Sequence, residues 1–142
     1  MGKINVGKLI VGGLLAGLVM NVFDIVTYMF VLAGDMEAWA RKMNMDPKAM
    51  QSTGAMMTFI TCDFLLGLLV VWIYAAIRPR FGPGPKTAVF AALAFFLTIE
   101  VATFGLTTMG IFDVGFFFKT SIFALVNWTV SAVVGAAVYK EA

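Results

Sequence analysis

The sequence predicts an all-α membrane protein, an antiparallel four-helix transmembrane bundle in a single domain over residues 1–142. Three observations carry that expectation. Hydrophobic residues make up 61% of the chain and charged residues 13%, against about 45–50% and about 25% in soluble domains. Four apolar runs each match the roughly 20 residues that a helix needs to cross about 30 Å of hydrocarbon. Each run also holds a strongly polar residue near its middle or outer half. A soluble domain of 142 residues has too much surface for its volume to hide this apolar excess. Disorder and nucleic-acid binding both require more polar or basic sequence, and the net charge is only +2.

The first span is expected at residues 9–33. It follows a basic start, MGKINVGK, but is too long for the core of a signal peptide, so an uncleaved first helix is expected. The second span is expected at 55–77, the third at 87–109 and the fourth at 117–139. These runs are continuous rather than alternating, which favours helices over the strands of a barrel. Cys62, the single cysteine, is expected within the second span as a small apolar filler.

The connections differ in kind. Between the first two spans, Met36, Trp39, Ala40 and Met43 fall at helical spacing, so a short interfacial helix is expected there. Asp46 before Pro47 reads as a helix cap, with the second helix starting near Pro47. The second connection, RPRFGPGPK, is expected to form a stiff hairpin in which Pro79 ends one helix and glycine makes the turn. The third, residues 110–115, is short. Of the ten Lys and Arg residues, Lys3, Lys8, Arg78, Arg80, Lys86 and Lys140 fall on one side, and Arg41, Lys42, Lys48 and Lys119 on the other. The positive-inside rule then puts both termini in the cytoplasm.

The polar layer carries the functional argument. Asp24, Asp63, Glu100 and Asn127 stand one to a span, with Asn21 beside the first. Ionisable residues within a span are costly and face a bundle interior or a wet cavity. In the first span Gly13, Gly17, Asn21, Asp24 and Tyr28 share one helical face. Gly13 and Gly17 form a GxxxG pair suited to close helix approach. In the second span Asp63 and Gly67 are four apart. In the third, Glu100, Thr103 and Thr107 make a polar stripe. In the fourth, Thr120, Ala124, Asn127, Ser131 and Gly135 make a small-and-polar stripe, and Gly67 and Gly135 are expected to serve helix packing as Gly13 and Gly17 do. At 1.5 Å per residue, Asp24, Asp63, Glu100 and Asn127 all come out roughly 20 Å from the cytoplasmic side.

Three carboxyls at one level cannot all stay charged without compensation. They could hold protons and share hydrogen bonds with Asn21, Asn127, Thr103 and Tyr28, with Ser131 in support. They could instead hold a cation, for which oxygen-only ligands suit Na⁺, Ca²⁺, Mg²⁺ or Mn²⁺. Or a cationic side chain could reach in; Lys119 is the one candidate, and it is expected to snorkel outward. Asparagine and threonine alone would glue a bundle more cheaply than three acids. No other cofactor is expected. The absence of histidine disfavours haem, zinc and copper. The methionines around Met36–Met57 suit Cu(I) in chemistry but form no regular repeat, and they read as interfacial packing.

These residues predict a non-enzymatic membrane protein. Its carboxylate cluster, Asp24, Asp63 and Glu100 with Asn21 and Asn127, would bind a proton or small cation in transport or ion-linked sensing. The acids are too deep for chemistry on lipid headgroups. The alternative is a non-catalytic accessory subunit of a larger membrane complex. In that case an outward face of Phe95, Phe96, Phe116, Phe117, Phe118 and Phe123 would meet lipid, pigment or partner spans. The expected partners are the lipid bilayer and either a second copy of the chain or other membrane subunits. The stretches LLAGLVMNVFDIV and YAAIRPRFGPGPKTA resemble small uncharacterised four-span bacterial membrane proteins. That resemblance implies a multi-pass protein of the bacterial inner membrane and brings no activity with it.

Overall fold

A computed structural model describes residues 4–141; Lys3, counted above on the cytoplasmic side, lies outside the described residues. The fold is a four-helix bundle. Helix α1 (Val6–Thr27) runs through a π-helical turn (Tyr28–Leu32) into α2 (Ala33–Lys42). A 3₁₀ turn (Pro47–Gln51) leads to α3 (Thr53–Phe81), followed by α4 (Pro85–Thr108) and α5 (Val114–Val138). Four helical segments are long and apolar enough to cross a membrane: Val6–Lys42, α3, α4 and α5.

The expected short helix between the first two spans exists, but as a direct extension of the first. The continuous segment has 37 residues, about 55 Å at 1.5 Å per residue. That exceeds the roughly 30 Å of hydrocarbon, so α2 projects beyond it. Polar residues Asp35, Glu37, Arg41 and Lys42 suit that position. The end of α2 is a Schellman turn. Asn44 takes the left-handed conformation (φ 55°), its N–H donates to Arg41 O, and that of Met45 donates to Ala40 O. Asp46 caps as expected, accepting from Lys48 N, but it opens only the 3₁₀ turn. Ser52, accepting from Ala55 N, caps α3.

Pro79 does not end its helix. It sits in the last turn of α3, which runs on to Phe81 and stops at Gly82, where φ is +83°. A left-handed residue ends a helix cheaply only where no Cβ is present. Pro85 then opens α4 from its first turn, where its missing N–H costs nothing.

Helix α1 packs on α3 and α5, and α4 packs on α5 and α3, while α1 and α4 face each other across the bundle with little direct packing. Small residues set the closest approaches. A Cβ on Gly67 would lie 2.4 Å from Gly17 N and 2.5 Å from Gly13 O, so only glycine allows α1 and α3 to come this near. A Cβ on Gly135 would lie 2.7 Å from Gly12 O, which gives α1 a second glycine contact, on α5, through Gly12, which the sequence reading missed. Large residues such as Leu65, Trp72, Leu97, Val101 and Ile122 point outward, as helices solvated by lipid allow. Cys62 is also exposed, on the outer flank of α3 rather than filling a gap. Phe95 and Phe117, assigned above to an outward face, are buried instead. Phe95 packs against Trp128, with ring centroids 4.9 Å apart.

Each end of the bundle is tied. At the end carrying the termini, Asn5 N–H donates to the Tyr139 hydroxyl (3.3 Å), and Gly84 N–H donates to the Tyr74 hydroxyl (3.2 Å). At the other end α2 is clasped to the connection between α4 and α5. Trp39 Nε1 donates to Ile111 O (2.7 Å) and Lys42 pairs with Asp113 (2.8 Å).

Candidate functional site

Side chains on a helix lean toward its N-terminus. In antiparallel neighbours, polar residues offset by about a turn therefore lean toward each other. Asp24 on α1 and Asp63 on α3 use this geometry: their carboxyls are neighbours, close enough to act on one another electrostatically. Asn127 on α5 closes the group from the third side. Its Nδ2 donates to Asp24 Oδ1 at 2.8 Å and to Met20 O at 3.4 Å. Ser131, a turn further along α5, donates to Asn127 Oδ1 at 3.1 Å. That bond sets which way the amide points and so directs its N–H groups at Asp24. Asp63, Asn127 and Ser131 are all buried.

The other residues singled out in the sequence are placed differently. Asn21 does not touch the acids. Its Nδ2 donates to Gly17 O (2.9 Å) and Ile60 O (3.4 Å), so it joins α1 to α3 through backbone. Glu100 is not part of the Asp24–Asp63 pair. It accepts a hydrogen bond from Ser121 Oγ on α5 (2.5 Å). Thr103 is half-buried on α4. Tyr28 is 44% exposed and stands within electrostatic reach of both aspartates. Lys119 turns away from the acids toward the α2 end, where it pairs with Asp35 (2.5 Å). Among the described residues no three acidic, histidine or cysteine side chains converge as a metal-holding group. The three carboxyls are thus a pair plus one.

Asp24 and Glu100 nevertheless share a space. A cavity of about 180 Å³ lies between them, walled also by Thr27, Tyr28, Leu32, Thr120, Phe123, Ala124 and Trp128. It exists because α1 and α4 stand opposite each other without packing, leaving a gap bounded by α5. Tyr28 and Leu32 are the first and last residues of the π-helical turn, and both reach the cavity. π-Helical turns inside α-helices occur frequently at functional sites.

Ser121 and Thr27 escaped the sequence reading. A signal for Ser121 was present. Glu100 and Ser121 lie at equal distances along the chain from the turn at 110–111, so a helical hairpin brings them level. No protein-family model, curated protein or solved structure matches this chain.

Proposed function

We propose that this integral membrane protein binds and exchanges a proton at the Asp24–Asp63 pair, in proton-linked transport. The contact between two carboxyls from separate spans carries the reading. Two neighbouring carboxylates repel unless a proton or cation lies between them. The one lysine near this depth is engaged by Asp35. A proton shared between the two carboxyls supplies the compensation. Asn127 holds one oxygen of Asp24 and leaves the other for that proton. The cavity gives Asp24 a route outward, and Glu100, on its opposite wall, is the next acidic group along it. The charge count across the two ends favours cytoplasmic termini, with the cavity toward the outer side.

The test is proton movement in proteoliposomes carrying an internal pH-sensitive dye, under an imposed pH gradient. Asp24→Asn and Asp63→Asn abolish it, and Glu100→Gln slows it. Unchanged movement in both aspartate variants, with unchanged stability, overturns the reading. Inert wild-type protein that co-purifies with further membrane subunits favours an accessory role instead.

A further inference from the structure

The cavity between Asp24 and Glu100 has a wall chemistry that the proton alone does not use. We propose that it binds a small organic ammonium cation, which enters against Asp24 and so competes with the proton; the inference rests on the reading of Asp24 as the exchanging group.

Charge comes first. Two carboxyl groups line the cavity and no lysine or arginine does. The remaining wall is rich in aromatic rings, Tyr28, Phe123 and Trp128. Ring faces attract diffuse organic cations. Trp128 is held in place by Phe95 and by Phe96, whose ring centroid lies 5.9 Å from its own.

Size narrows the class. About 180 Å³ is several times the roughly 30 Å³ share of one liquid water. It is also below the roughly 300–1,000 Å³ of drug-sized sites. A monoamine with a short or single-ring body fits.

Thr27 adds a hydroxyl to this wall. It is only 8% exposed and lines the cavity. There it is placed to accept an N–H from a protonated amine whose charge lies between the two carboxyls.

The experiment is calorimetric titration of the whole protein in lipid nanodiscs with benzylammonium, tetramethylammonium, Na⁺ and Ca²⁺. Benzylammonium binds saturably, and neither metal ion displaces it. Tetramethylammonium, which has no N–H to donate, binds more weakly. Glu100→Gln and Tyr28→Leu each weaken benzylammonium by about tenfold, within the range for a desolvated cation–π or charge contact. Thr27→Val narrows the preference for benzylammonium over tetramethylammonium and keeps the fold. Absence of saturable benzylammonium binding to stable wild-type protein overturns the inference, as does equal affinity in the Glu100 and Tyr28 variants. Proton movement that depends on Asp63 without benzylammonium binding sinks the cation site alone. Benzylammonium binding alongside proton movement indifferent to both Asp24→Asn and Asp63→Asn sinks the proton reading and the competition with it, and leaves the cation site.

Discussion

Asn127 on the last span donates from Nδ2 to Asp24 Oδ1 on the first, 2.8 Å away and 103 positions distant in sequence. The bond ties two packed helices and orients the carboxylate that faces both Asp63 and the cavity. Ser131 fixes the donor from behind. Hydrogen bonds between membrane helices average about 0.6 kcal/mol and reach about 1.7. A double-mutant cycle of Asp24→Ala and Asn127→Ala, followed by reversible unfolding in micelles, gives a coupling of about 1 kcal/mol. A coupling of zero would mean the contact does not form in the membrane.

The seam between α1 and α3 depends on a missing side chain. Gly67→Ala puts a methyl 2.4 Å from Gly17 N and must push the helices apart. Overpacking of this kind costs about 1–3 kcal/mol, read as a lowered midpoint in thermal unfolding. Gly34, in α2, has nothing within 4 Å of its would-be Cβ. Gly34→Ala stabilises by about 0.5–1 kcal/mol through helix entropy alone. A reversed order of the two variants contradicts the packing described.

Hydropathy made the four spans legible, because bilayer thickness fixes helix length. The seam of Gly13, Gly17 and Gly67 followed from helical spacing. The rest depended on facts that one sequence does not encode locally. Pro79 reads as a stop, but a proline in the last turn forfeits only one backbone bond, and Gly82 ends the helix instead. The apolar run closes near Ala33, yet the helix continues because α2 gains contacts with a distant connection through Trp39 and Lys42. Glu100 lines the same cavity as Asp24, but its partner is set by rotation of α4 against α5. That rotation gives it to Ser121.

The clasp at the α2 end is predicted to be local. Trp39→Phe keeps the ring that stacks on Phe112 and deletes the bond to Ile111 O. Amide exchange over residues 33–42 quickens, corresponding to about 0.5–1.5 kcal/mol, while α3 exchanges as before. Equal quickening in α3 would show that α2 is part of the global core.

Topology is accessible to an impermeant thiol reagent in a Cys62→Ser background. Lys48→Cys, in the 3₁₀ turn, is labelled on intact cells. Pro83→Cys, in the hairpin between α3 and α4, is labelled only after permeabilisation. Both residues are exposed in the fold, so the reverse pattern places the termini outside.

Infrared spectroscopy of the protein in lipid tests the carboxyl pair most directly, because a protonated carboxyl has a C=O band that a carboxylate lacks. The account predicts one such band at neutral pH, abolished by Asp63→Asn and retained in Glu100→Gln. A spectrum with no protonated carboxyl band at neutral pH, or a band indifferent to both Asp24→Asn and Asp63→Asn, contradicts it.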